Sequence, residues 1–105
     1  MVEESVAGAV RRLIAALRSQ GVLVERAILF GSRAKDGARP DSDIDVAVVS
    51  QQFGESRLLE TQLLLRAAWR IDPRLEPIAV GANDWERNFD SPLLAEIRAT
   101  GEEIA

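Results

Sequence analysis

The chain contains no cysteine, no histidine and no tyrosine among its 105 residues. Without cysteine there is no disulfide, no thiolate nucleophile and no zinc ribbon. Without histidine, Ser-His-Asp triads, Cys-His pairs and imidazole metal sites are excluded too. Any metal must be held by oxygen, which suits Mg²⁺ or Mn²⁺. No apolar run approaches the roughly 18 to 20 residues needed to span a bilayer. The opening Met-Val-Glu-Glu lacks the basic region and apolar stretch of a signal peptide, so a cytoplasmic location is expected. No Gly-x-x-x-x-Gly-Lys-[Ser/Thr] occurs, which excludes a P-loop nucleotidase.

What is present fits a small globular domain. Hydrophobic residues make up 47% and charged residues 29%, too apolar for disorder. The length fits one domain, residues 1–105, with one modest core and little to spare for a second binding lobe. Seventeen acidic residues oppose thirteen basic ones, and the net charge of −4 argues against a broad non-specific nucleic-acid binder. A nucleotide bound through a metal remains compatible with that charge.

Val6, Val10, Leu13, Ile14 and Leu17 recur at helical spacing, with Glu3 and Glu4 at the start and Arg18 near the end, matching the helix dipole. The spacing predicts a helix over 3–20, stopped at Gly21. A strand is expected over 24–30, broken by Gly31, then a short helical turn over 32–36 and a loop over 37–42. Residues 43–49, rich in β-branched side chains, read as a second strand. A second long helix is expected over 57–71. Its stripe of Leu59, Leu63, Ala67 and Ile71 is widened by Leu58, Leu65 and Trp69, and serves either as core packing or as a docking face. A third strand is expected over 74–80, at an edge or with a bulge because of Pro77. Asn83 or Asp84 opens a short turn around Trp85. Ser91 and Pro92 then make an N-cap and first-turn proline for a last helix over 92–100. The whole reads as an α+β (or α/β) domain, a short mixed sheet of three or more strands packed against helices.

The chemistry concentrates in residues 31–45, Gly-Ser-Arg-Ala-Lys-Asp-Gly-Ala-Arg-Pro-Asp-Ser-Asp-Ile-Asp. A glycine after a strand lets the backbone turn sharply and approach a ligand. The N–H groups that follow, and the Ser32 hydroxyl, suit an anion, with Arg33 and Lys35 adding positive charge. Taken alone, Gly31-Ser32 is equally an ordinary strand-to-helix turn. Asp43 and Asp45 stand two apart on a strand, so they share a face about 6 to 7 Å apart along the chain. Ile44, Val46 and Val48 take the other face. Such a pair can converge on one divalent ion or bridge two. A solvated strand end is the plain alternative. Glu76 is the best third oxygen ligand, being the only acid inside the third strand. Asp72, beside Pro73, and Asp41, in a Pro-Asp-Ser turn, are weaker choices.

The run Gly31-Ser32-Arg33-Ala34, then Asp36-Gly37, then Ser42-Asp43-Ile44-Asp45-Val46, resembles the minimal nucleotidyltransferase domain of the DNA polymerase beta superfamily. The family's pattern is Gly-Ser-x-Ala-x-Gly, a gap, then Ser-Asp-x-Asp-[Leu/Ile/Val]; here the second glycine comes one residue late, at Gly37. The resemblance implies catalytic metal carboxylates at Asp43, Asp45 and Glu76, where the family usually places a third Asp. It implies nucleotide contacts at Gly31, Ser32, Arg33 and Ser42, Mg²⁺ or Mn²⁺ as cofactor, and ATP as substrate. Many stand-alone members of this size look like the antitoxin of MNT–HEPN toxin–antitoxin pairs, which transfers AMP from ATP to a tyrosine of the partner toxin. With no tyrosine of its own, this chain cannot modify itself in that way. The resemblance therefore implies a HEPN-type helical partner as acceptor, or a catalytically weak antitoxin that neutralises by contact.

Overall fold

A computed structural model of the chain describes residues 3–34, 38–87 and 90–105. The first helix, α1 (Glu4–Ser19), buries the expected stripe of Val6, Val10, Leu13, Ile14 and Leu17. It ends as its sequence requires. Gly21 adopts φ 90°, the left-handed conformation glycine tolerates best. The Val22 N–H donates to the Leu17 carbonyl at 3.0 Å and the Gly21 N–H to the Arg18 carbonyl at 3.1 Å. This doubly bonded glycine stop satisfies the helix's last carbonyls.

Strand β1 (Arg26–Phe30) runs into a single 3-10 turn, Gly31–Ala34. Strand β2 (Ile44–Ser50) returns antiparallel to it. Helix α2 (Arg57–Ile71) crosses over to β3 (Leu75–Gly81), which lies parallel to β2. Helices α3 (Ala82–Arg87) and α4 (Pro92–Thr100) follow, and β4 (Glu102–Glu103) closes on the free side of β1. The sheet is mixed, in the order β3-β2-β1-β4. β3 is an edge strand, as its proline suggests, and the Ala79 N–H donates to Thr61 Oγ1 of α2 at 3.1 Å. The Ser91 hydroxyl accepts the Leu94 N–H, so the expected cap of the last helix is formed.

Strand alternation divides the core between the two faces of the sheet. Ala27, Leu29, Val46, Val48 and Leu75 pack under α1 and α2. Ile28, Ala47, Val49 and Val80 pack under Leu94 and Ile97 of α4, with Trp85 of α3 beside them. Among the described residues, no helix is long and apolar enough to cross a membrane.

Two expectations for the helices need correction, and the sheet gains a strand. The stripe on α2 is out of phase: Leu64 and Ala68 are buried, Ala67 and Ile71 only partly, and Leu59 and Leu63 face outward. The helix is apolar on most of its circumference, so periodicity alone fixes its bounds and not its rotation. The two-residue β4 was not foreseen. It forms because α4 returns the chain to β1, where the Ile104 N–H donates to the Ala27 carbonyl and Arg26 pairs with Glu103 at 2.7 Å. The turn around Trp85 is a short helix starting at Ala82. Lys35, Asp36 and Gly37, parts of the expected turn, loop and motif, lie outside the described residues.

Candidate active site

Sheet register brings the acidic residues of two strands together. Asp45 pairs with Phe30 across β1 and with Glu76 across β3. Asp45 and Glu76 are therefore neighbours on the face shared with Ala47, Val49, Ile78 and Val80, which α3 and α4 cover further along. Asp43, exposed, stands one residue before β2 begins, not within it as expected. Beside them the chain turns at Gly31, with φ 69°. A Cβ at this position would collide with Oδ2 of Asp45. Glycine is thus required twice at one residue, for its backbone conformation and for the carboxylate against it.

The surroundings of the Asp45 and Glu76 carboxyls disfavour their charged forms. Burial, and secondarily the charge of Asp43, raise the Asp45 pKa above its ordinary value. Burial raises Glu76 as well, followed by the charges of Asp43 and Asp45. Among the described residues, none of the three carboxylates has a cationic partner. Nor do any three acidic side chains there already stand close enough to enclose an ion. Repulsion acts over longer distances than ligation does. The three share one edge of the sheet without forming a closed cage.

The other sequence candidates have different employment. Asp72 accepts from Arg74 Nε at 3.1 Å and Nη2 at 2.8 Å, and this bond holds its pKa down to about 2. That tight pairing with its own neighbour removes it from contention as a ligand. Asp41 lies exposed in a turn. Ser42 stabilises the same turn: its Oγ accepts the Arg39 N–H at 2.9 Å and its own N–H donates to the Arg39 carbonyl. Ser32 is exposed beside Gly31. Arg33 points inward, its side chain 3% exposed. Its Nη2 donates to the carbonyls of Pro40 at 3.0 Å and Ser42 at 2.8 Å, and Nη1 meets Glu3 at 3.3 Å.

Sequence reasoning missed Arg74. Its Nη1 also donates to the Pro40 carbonyl, at 3.2 Å, while the Ile44 N–H donates to the Arg74 carbonyl at 2.7 Å. Two arginines thus grip one proline carbonyl and hold the strand entry that carries Asp43 and Asp45. The Asp-Pro-Arg run at 72–74 was the available signal, since an acid two residues before an arginine can close a local bridge.

A glycine turn ending one strand, two acids heading the next and a third acid in register beside them make a recognisable arrangement, and residues 10–90 match the family model for the nucleotidyltransferase domain. The chain belongs to the nucleotidyltransferase domain family. Among solved structures, it is similar to a candidate nucleotidyltransferase from Sulfolobus solfataricus, with TM-score 0.62 and 19% identity over 79% of this chain and 73% of that one. At this identity the likeness establishes the fold. No curated protein matches the chain in sequence. Nucleotidyltransferases of this family generally use a nucleoside triphosphate and a divalent metal. The donor set here fits such an ion: it is all oxygen, partly open to solvent, and carries repulsion that a cation would relieve.

Proposed function

We propose that this nucleotidyltransferase transfers a nucleoside monophosphate, AMP from ATP, onto a hydroxyl of a partner protein, acting in the cytoplasm as the antitoxin of a HEPN toxin. The observation that carries the nucleotide reading is the register match of Asp45 with Glu76 beside a glycine that a Cβ would push into Asp45. Asp43, Asp45 and Glu76 would hold Mg²⁺, which when bound supplies charge neutralisation to the triphosphate and the leaving pyrophosphate. Gly31 lets the backbone come close to phosphate oxygens, and the exposed Ser32 hydroxyl donates to one of them. The acceptor oxygen bonds to the α-phosphorus as the bond to pyrophosphate breaks and the hydroxyl proton is released. Arg33 and Arg74 act through the backbone, keeping the strand entry in place. A tyrosine acceptor would have to lie on another protein, since this chain has none.

A second reading rests on Glu76, one methylene longer than the Asp usual at that place. It makes the chain a weak or inactive antitoxin that neutralises by contact. Incubating the protein with α-labelled ATP and Mg²⁺ in an extract of the cells that encode it, followed by mass spectrometry of labelled proteins, separates the two. The enzyme reading expects a protein heavier by one nucleotide, absent with Asp45→Asn. Label transfer that is equal with the wild type and the variant would refute it.

A further inference from the structure

The solvent side of α2 is unusual for a surface helix. Leu58 is 70% exposed, Leu59 65%, Leu63 50% and Trp69 59%. A helix that is apolar both toward and away from its own core has a second surface to bury. Two hollows lie on this side. One, of about 280 Å³, runs between α1 and α2 over Ala16, Leu63, Ala67 and Ile71, with Gln20, Arg66 and Arg70 around it. The other, of about 270 Å³, is lined by Gln62, Leu65, Arg66 and Trp69. Arg66 belongs to both.

Charge says what would cover them. Neither hollow is lined by an acid, although the whole chain carries −4. α1 and α2 each carry three arginines to one glutamate. Arg12 of α1 lies within electrostatic reach of Asp72 at the end of α2, so the outer helical layer is basic while the sheet edge with Asp43, Asp45 and Glu76 is acidic. Among the described residues, Arg66 and Arg70 form no ion pair.

We propose that the outer face of α2, with the groove toward α1, docks an amphipathic helix of a partner protein whose leucine-like side chains fill the two hollows and whose carboxylates meet Arg66 and Arg70. A second copy joined face to face would set each arginine pair against its own counterpart. A lipid surface fits poorly, because Arg66 and Arg70 sit within the apolar band instead of beside it. Nucleic acid would use the arginines and leave the leucines uncovered. The inference rests on the proposed function only in making the bound partner the acceptor. Docking itself needs no nucleotide chemistry.

The test uses the whole chain and a fluorescently labelled 18-residue helical peptide with leucines along one face and glutamates flanking them, against a twin with lysines in place of the glutamates. The acidic peptide is expected to bind at least about tenfold more tightly than its twin by anisotropy. Arg66→Glu with Arg70→Glu should reverse that preference, and Leu59→Ser with Leu63→Ser should weaken both. All four positions are outside the carboxylate cluster, so Mn²⁺ binding should be unchanged in every variant. Failure of docking with intact Mn²⁺ binding sinks only this inference; loss of both points to a misfolded variant, which circular dichroism identifies and Arg66→Gln with Arg70→Gln replaces. Equal binding of the two peptides, or none, overturns the proposal. So does a charge-reversal-sensitive dimer in sedimentation, or tighter binding to anionic vesicles or single-stranded oligonucleotide than to the acidic peptide.

Discussion

Arg33 shows how a residue chosen for one reason can act for another. From sequence it is a cation near a phosphate turn. In the fold it is a buried strut, donating to two carbonyls of the segment that delivers Asp43 and Asp45. Its Nε has no partner among the described atoms. Replacing it with Met removes the charged donor of the Ser42 carbonyl and one of the two donors of the Pro40 carbonyl, which keeps Arg74, at about 1.5 to 3 kcal/mol for a hydrogen bond to a charged group. Urea unfolding should report that loss, and Arg33→Lys should recover only part of it, because a single ammonium cannot reproduce the guanidinium fork. Asp72 gives a second residue-level prediction. Its pKa of about 2 in the fold lies below the ordinary 3.8. A depressed carboxylate stabilises the fold above the ordinary value and loses that contribution as pH falls through the folded one. Wild-type stability should therefore drop between roughly pH 4 and 2, and Asp72→Asn should flatten that part of the curve. A parallel drop in both proteins would contradict the Asp72–Arg74 bond. At this scale the sequence pointed to Asp45 inside the second strand, Glu76 inside the third and a glycine turn after the first, which is where the fold has them, while Asp43 falls one residue before its strand. Arg74 was not legible, because its partner carbonyl at Pro40 is 34 positions away in sequence.

At the scale of elements, caps and breakers were readable and rotation was not. Gly21, Ser91 and Pro92 announce their helix ends through local chemistry, and the ends lie there. α2 was bounded correctly, since Pro73 follows close on its end, yet its buried line is Leu64 and Ala68 instead of Leu59 and Leu63. Only the sheet beneath decides which of several leucine rows turns inward. Leu64→Ala should cost about 2 to 5 kcal/mol, the usual range for a truncated core leucine. Leu59→Ala should stay within about 0.5 kcal/mol. Equal effects in thermal unfolding would mean that α2 is rotated from the orientation described. β4 left no signal because two glutamates at 102–103 carry no periodicity; its pairing comes from where α4 releases the chain.

Across the whole molecule, two surfaces of opposite character lie apart. Helices α1 and α2 present arginines, and α2 uncovered leucines, while the sheet edge where β2 and β3 begin gathers Asp43, Asp45 and Glu76 without cationic partners among the described residues. Family membership makes this a nucleotidyltransferase domain, and the acidic edge is where we propose that its nucleotide binds. The most direct test is calorimetric titration of Mn²⁺-ATP into the wild type, Asp45→Asn and Glu76→Gln, with folding checked by circular dichroism. The wild type should bind, and each variant should lose about tenfold or more in affinity, the effect seen even for groups one step removed from a metal. Undiminished binding in both folded variants would contradict a cation site built from these strands.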